Sequence, residues 1–150
     1  KEVLSKPVLY LSFFFKRHRQ AYYDHLQAVR DEGAWEAWLR FFLEGVHEVS
    51  QQASDTARRI LSLREEHRQR ITDTLGRAAG NGHRVLESLY QQPILSVNQV
   101  RDLIQTSYPA ANNLVAQFVE QGILQEITGR KRHRRFMYRD YVDLFHDPRD

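Results

Sequence analysis

The sequence predicts a mainly α-helical protein, with a long helical hairpin followed by a smaller domain of short helices and a small β-hairpin. Apolar residues recur every three or four positions over the first 75 residues, the spacing of one helical face. A glycine cluster then interrupts this pattern, and shorter helical patterns give way to alternating residues near the C terminus. We therefore predict two domains, residues 1–79 and residues 80–150.

The predicted hairpin consists of two long amphipathic helices. The first covers residues 4–29, and Gly33 is placed to end it in a left-handed conformation that residues with a Cβ resist. The second covers residues 35–75 without a proline. Its apolar face thins over residues 50–70, which indicates a connector with a solvated face or the seam of a helix pair between subunits. Three glycines within residues 76–82 break the pattern and set the domain boundary.

The second domain begins with three predicted short helices. Pro93 ends the first of them, and Ser96 is the expected N-cap of the second. The third is expected to start at Ser107, with Pro109 in its first turn, and to end at Gly122.

A β-hairpin with a basic tip is predicted to follow. Residues 123–128 alternate as a strand, residues 129–134 turn, and residues 135–138 return. The chain has a formal net charge of +3, and five of the nine Lys and Arg after residue 81 lie between residues 130 and 135. The positive charge of this domain is thus concentrated at the hairpin tip.

This order of helices, turn, helix and hairpin resembles a winged helix-turn-helix domain from Gly82 to about Phe145. That family closes its core with the third helix, a glycine and the first wing strand; the corresponding residues here are Leu114, Phe118, Gly122, Ile123 and Leu124. The resemblance implies a third helix that enters the major groove of double-stranded DNA and a wing that approaches phosphates or the minor groove.

Two groups of DNA-binding candidates are carried over by position. Asparagine and glutamine amides bond adenine edges in two places, and Lys and Arg neutralise phosphates. The groove-facing candidates are Tyr108, Ala110, Asn112, Asn113 and Gln117. The phosphate-binding candidates are Arg130, Lys131, Arg132 and Arg134.

Protein docking or dimerisation of the parent protein is the alternative role for this domain. The predicted third helix has no Lys or Arg from Ser107 to Gln121, which weakens guanine reading and backbone anchoring. A basic tip beside Asn112 favours DNA binding. A tip surrounded by acidic residues favours docking, and the candidates for that role are Asp140, Asp143, Asp147 and Asp150.

The first domain carries a second set of characteristic residues. These are Pro7, Leu9, Tyr10, Leu11, Ser12, Phe15, Arg19, Tyr22, Tyr23, Leu26, Val29, Arg30, Gly33, Trp35, Trp38, Phe41, Phe42, Leu43, Gly45 and Val46. With this spacing, about residues 6–75 resemble the segment that follows the active-site loop in Fic proteins. Fic proteins of this type commonly continue into a C-terminal winged helix, so both halves indicate one parent.

Membership of this family implies transfer of AMP from ATP to a protein hydroxyl, with Mg as the accompanying ion. The catalytic loop, His-Pro-Phe followed by a Gly-Asn-Gly-Arg run, is missing from the sequence. Residues 80–84 only superficially resemble that loop, because no His-Pro-Phe precedes them and His83 breaks the order. We expect no activity or cofactor for the chain alone, which is predicted to be a fragment of a bacterial, cytoplasmic protein adenylyltransferase.

The resemblance also implies a remnant of the nucleotide pocket. In Fic proteins the helix with the double tyrosine borders the adenosine, which points to Tyr22, Tyr23 and Leu26. The alternative is that these aromatics form core, as aromatics at helical spacing usually do.

The sequence lacks the residues that other kinds of site require. The chain has no Cys, which excludes disulfides and thiolate sites, and its seven His form no helical i, i+4 pair for zinc. Each His is expected at the surface. No run of about 18 uncharged apolar residues is present, so no membrane span is predicted.

A homodimer is predicted from one aromatic face. When the chain is separated from the catalytic bundle, this face is expected to be partly uncovered. Exposed apolar area of this kind favours self-association. Its members are Phe13, Phe14, Phe15, Trp35, Trp38, Phe41 and Phe42.

Overall fold

A computed structural model describes residues 5–145, and for residues 5–10 it describes the backbone alone. The side chains of Pro7, Leu9 and Tyr10, and the residues Asp147 and Asp150, therefore lie outside the described part. The elements in chain order are α1 (Ser5–Arg17), α2 (Arg19–Glu32), α3 (Trp35–Leu75), a 3-10 helix (Gly76–Ala78), α4 (Ala79–Leu89), β1 (Ile94–Leu95), α5 (Val97–Ile104), α6 (Tyr108–Glu120), β2 (Gln125–Glu126), β3 (Phe136–Met137) and α7 (Arg139–Asp143).

The predicted fold class is confirmed. The chain is mainly helical, with one long helix, α3, and a small antiparallel sheet of three strands. Among the helices of residues 5–145, none has the length and apolar character needed to cross a membrane.

The chain forms two compact units, Lys1–Ala57 (unit 1) and Arg58–Asp150 (unit 2). The division between the two units falls within α3. The boundary predicted from the sequence lies further along the chain, in the glycine cluster at residues 76–82. The reason is that Ile71 and Leu75, in the last turns of α3, are buried in the core of unit 2.

Unit 1 is built around aromatic packing between α1 and α3. Phe14 and Phe41 are buried with their ring centroids 5.4 Å apart. A Cβ on Gly45 would lie 2.7 Å from two Phe14 ring atoms, so the glycine permits the close approach of the two helices.

The first helix of the hairpin is divided, in contrast to the single helix that the periodicity predicts. At His18 the backbone has φ −103° and ψ 37°, outside the helical region. The His18 N–H still donates to the Phe14 carbonyl at 2.9 Å, and the Tyr22 N–H donates to the His18 carbonyl at 2.9 Å. The apolar period therefore continues across the break. Gly33 ends α2 with φ 66°, as predicted.

Unit 2 has the element order of a winged helix, α4–β1–α5–α6–β2–β3. The central strand β3 pairs antiparallel with both neighbours, which places Ile94 and Gln125 on opposite sides of Met137. The predicted hairpin is confirmed, with strands shorter than expected. The strand β1 was not predicted, because two residues after Pro93 carry no alternation to detect.

The predicted caps of α5 and α6 are confirmed. The Ser96 hydroxyl accepts the Gln99 N–H and the Gln99 side chain accepts the Ser96 N–H, which completes a capping box. Ser107 caps α6, and Pro109 occupies its first turn. Gly122, with φ 74°, follows the helix.

Only the first residue of the glycine cluster interrupts the helices, which corrects the expectation that all three glycines break the pattern. Gly76 alone of its three glycines has a left-handed φ, at 50°, whereas Gly80 and Gly82 belong to α4. Gly82 is buried, and a Cβ there would lie 2.7 Å from Leu75 Cδ1 and 2.9 Å from Ile71 Cγ2. The glycine is needed for close packing between α3 and α4.

A buried histidine corrects the expectation that every histidine is at the surface. His67, on α3, is 1% exposed, and its Nδ1 lies 2.8 Å from the Tyr138 hydroxyl. The Tyr138 hydroxyl in turn lies 3.3 Å from the Tyr90 hydroxyl. On the other side of the ring, Nε2 lies 3.7 Å from Asp140 Oδ2. A sequence of hydrogen bonds thus joins α3 to the residue that follows β3.

Burial governs the titration of this group. Desolvation, followed by repulsion from Arg70, lowers the pKa of His67 below 6.5, although Asp140 and Glu66 oppose the shift. Desolvation also raises the pKa of Tyr138, which remains a neutral hydrogen-bonding hydroxyl.

We predict opposite stability effects for two glycine substitutions in α4. Gly82→Ala crowds Ile71 and Leu75, and the crowding, about 1–3 kcal/mol, exceeds the gain in helix propensity. We expect a net loss of about 1 kcal/mol in the free energy of unfolding. The matched control is Gly80→Ala, which meets no atom within 4 Å and is expected to gain up to about 1 kcal/mol. Urea denaturation followed by circular dichroism measures both, and a Gly82→Ala protein as stable as Gly80→Ala contradicts the packing argument.

We also predict a loss of stability in mild acid that depends on His67. The unfolded chain takes up a proton at this residue as the pH falls below 6.5, whereas the folded chain resists it. The free energy of unfolding therefore falls towards acid pH, by up to about 1 kcal/mol between pH ~6.5 and ~5.5. His67→Gln removes the titration. Denaturation of both proteins at the two pH values checks this, and equal losses in both would contradict it.

Candidate nucleic-acid interface

The helix α6 presents a buried face and a polar exposed face. Its inward residues, Ala111, Leu114, Val115 and Phe118, lie in the core of unit 2. Asn113 is exposed on the side opposite this core, and Asn112 and Gln117 are half-buried on the two flanks. Tyr108, in the first turn, is half-exposed. The structure therefore separates the predicted groove-facing residues: Tyr108, Ala110 and Asn113 are exposed, whereas Asn112 and Gln117 are half-buried.

The wing is the loop between β2 and β3. Local hydrogen bonds hold the base of this loop. The Ile127 N–H donates to the Arg135 carbonyl at 3.0 Å. The Thr128 hydroxyl donates to Glu126 at 2.7 Å and accepts the Arg135 N–H at 3.2 Å. The Thr128 hydrogen bond is the main cause of the lowered pKa of Glu126.

A side-chain contact brings the wing beside α6. The Arg134 guanidinium donates to Asn112 Oδ1 at 2.7 Å and lies 5.3 Å from the centroid of the Phe136 ring. Phe136 is buried in β3. This places the basic tip beside Asn112, the arrangement that the sequence analysis named as favouring DNA binding.

The remaining cations of the wing are open to solvent. Arg130, Lys131 and Arg132 are exposed, and none of them forms an ion pair with another residue of the described part. Lys131 and Arg132 line a groove of about 390 Å³. Its other lining residues are Ser96, Val97, Asn98, Tyr108, His133, Arg134 and Arg135. These positions concentrate positive charge along one side of unit 2.

Sequence reasoning missed the contribution of α5 to this groove. Ser96 was predicted as an N-cap, but no local signal places the start of α5 across from the wing. His133 and Arg135 were also absent from the candidate phosphate-binding residues, although both line the groove. Their position within the basic run of residues 130–135 is the sequence feature that could have identified them.

The acidic residues near the C terminus have other contacts. Asp143 pairs with Arg139 at 3.0 Å, and Asp140 lies beside His67. Asp147 and Asp150 lie outside the described residues. Neither of the two described carboxylates is thus engaged with the basic tip.

The helix itself supplies no positive charge. From Tyr108 to Glu120 it has no Lys or Arg, and Glu120 is exposed. Any electrostatic attraction to phosphates on this side of unit 2 therefore comes from the wing.

The three candidates for a nucleotide-pocket remnant are divided in unit 1. Tyr22 packs in the aromatic cluster, with its ring centroid 4.9 Å from Phe15. Tyr23 is 53% exposed, and the Arg19 guanidinium lies 5.6 Å from its ring centroid. Leu26 is also exposed. Tyr22 is thus partly buried in the aromatic cluster, whereas the other two form an open surface.

The predicted aromatic face is partly uncovered. Phe14 and Phe41 are buried, and Phe15, Trp38 and Phe42 are half-buried in the cluster between the helices. Phe13 is exposed, as is Trp35, at 61%. Further apolar exposure, not predicted from the sequence, comes from Leu39 and Leu43 on α3.

Within residues 5–145, no three His, Asp or Glu side chains come together in a group able to hold a metal ion. Compared with models of known protein families, the chain matches none.

Proposed function

We propose that unit 2 binds double-stranded DNA, with α6 directed at base edges and the wing directed at phosphates. The observation that carries this proposal is the Arg134–Asn112 hydrogen bond of 2.7 Å, which brings the basic wing and the polar face of α6 to one side of the domain. A duplex presents phosphates and base edges together, so a DNA-binding surface needs both features side by side.

In this proposal the wing supplies the positive charge, and α6 supplies the polar side chains. Arg130, Lys131 and Arg132 neutralise phosphates and release counterions, which supplies affinity for any sequence. The amides of α6 distinguish bases, since a side-chain amide bonds adenine N6 and N7 together. The lack of guanidinium groups on α6 favours adenine-containing sites over guanine-rich ones.

We predict salt-dependent duplex binding that requires the wing. Changing Arg130, Lys131 and Arg132 to Ala removes three phosphate contacts. We expect the slope of log affinity against log salt to become shallower by about 3, and affinity to fall at least ~10-fold at ~0.1 M salt. Fluorescence anisotropy with a labelled duplex, between ~20 and ~200 mM salt, gives both quantities.

The matched control removes three exposed cations from unit 1, with the substitutions K16A, R30A and R40A. It has the same net charge as the wing variant and is expected to bind like the wild type, apart from a small general effect. Absence of wild-type binding at low salt, or equal weakening by both triple variants, contradicts the proposal.

We infer for unit 1 that it forms the C-terminal helices of a Fic-type AMP transferase, located in the cytoplasm. The Fic-like residues Phe15 and Phe41 stack on each other in its aromatic packing, and the Fic-like Gly45 lies against Phe14. The Fic-like Tyr23 and Leu26 lie on an open surface. In this proposal the parent protein binds ATP with Mg and modifies a protein hydroxyl, while Tyr23 and Leu26 border the adenosine.

For a protein that contains both this chain and the catalytic loop, we predict that Tyr23→Ala weakens ATP binding. Loss of an aromatic surface beside a base costs about 1–3 kcal/mol, or roughly 5- to 150-fold in affinity. Tyr23 is exposed, so folding is expected to be unaffected. Isothermal titration measures the affinity, and Tyr23→Phe, which keeps the ring, is the control. Unchanged affinity in Tyr23→Ala removes this residue from the site.

A second candidate function is homodimerisation through unit 1. It is favoured by the exposure of Trp35, Leu39 and Leu43, which are 61%, 53% and 62% exposed. The two functions use different units and are not exclusive.

A further inference from the structure

The neighbouring asparagines of α6 have different surroundings. Successive residues of a helix point about 100° apart. Asn112 is half-buried on the flank that meets the wing, where its Oδ1 accepts from Arg134 at 2.7 Å. Asn113 is exposed on the side opposite the core and has no side-chain hydrogen bond to another described residue. The two asparagine side chains are chemically identical, but they lie in different environments.

Arg134 differs in the same way from the other cations of the wing. It is half-buried, its guanidinium donates to Asn112, and it lies over the ring of Phe136 at 5.3 Å. A guanidinium that stacks on an aromatic ring and donates to an amide is held in one orientation. Arg130 and Arg132, which are exposed, keep their freedom to follow a phosphate.

We propose that Asn112 and Arg134 form a clamp that holds the wing against α6, and that Asn113 is the residue that specifies the base. This inference rests on the proposed DNA binding. Asn112 is then a positioning residue, because its acceptor is turned to the wing. Asn113 retains both the donor and the acceptor that a paired contact to adenine needs.

The clamp couples two otherwise separate parts of the interface. The base of the wing is fixed by Thr128, which bonds Glu126 and Arg135, and the clamp adds a hydrogen bond from the neighbouring residue Arg134 to α6. A wing held in advance loses less conformational freedom when it meets a phosphate. Breaking the clamp therefore weakens binding to all sequences alike, whereas loss of Asn113 removes a preference for one base.

The clamp is tested first without DNA, by amide hydrogen exchange over residues 128–135. Asn112→Ala is expected to speed exchange in the wing roughly tenfold, and Arg134→Ala to do the same. Asn113→Ala is the matched control and leaves the wing unchanged. Asn112→Asp rescues the protection, because its carboxylate still accepts from Arg134. Unchanged wing exchange in Asn112→Ala overturns the clamp.

The division of roles is tested with duplexes selected from a randomised pool. Asn113→Ala is expected to lose a discrimination of roughly 5- to 150-fold at one base pair. Asn112→Ala is expected to keep that preference while its affinity falls evenly for all duplexes. A loss of the same base preference in Asn112→Ala overturns the inference. Absence of wild-type duplex binding overturns both the DNA function and the role of Asn113, and the clamp is then judged by exchange alone.

Discussion

The close contact of α3 with α4 at Gly82 is the constraint on which unit 2 depends. The missing Cβ lets Ile71 and Leu75 reach the core, and Phe118 of α6 comes within 3.7 Å of the same point. The last turns of α3, which precede the glycine cluster in sequence, are therefore part of the core of unit 2. Because α6 packs on this contact through Phe118, the position of its exposed face is fixed from beneath by close-packed apolar groups.

The His67 network fixes the strand β3, which follows the wing. Tyr138 directly follows β3, and its hydroxyl is held by His67 of α3 at 2.8 Å. A buried imidazole and phenol that satisfy each other specify one register, since a shift of β3 would leave both groups unpaired in an apolar core. The wing is the loop that enters β3. Its base is thus anchored through Tyr138 to the same helix that supports α6 through Ile71.

The parts that the sequence predicted correctly depend on neighbours along the chain. The caps at Ser96 and Ser107 and the left-handed end at Gly33 are local hydrogen-bond and backbone effects, legible over four or five residues. The strand β1 and the burial of His67 depend on partners far along the chain, so no spacing rule indicates them. For the candidate site, the basic run gave the wing, but only the fold distinguishes Asn112 from Asn113, which are adjacent and chemically identical.

If unit 2 binds DNA as proposed, the distribution of charge gives a reason for holding the wing against α6. A recognition helix with its own Lys or Arg anchors itself to phosphates, but α6 has none and carries Glu120 on its exposed surface. Its amides are too weak to dock alone, because each neutral hydrogen bond adds about 1 kcal/mol net in water. In the proposed DNA complex, affinity therefore has to come from the wing cations, and a wing held in a fixed position against α6 loses less conformational freedom when it meets a phosphate. Among the described residues, the Asn112–Arg134 bond is the one side-chain hydrogen bond that joins the basic loop directly to the neutral helix α6.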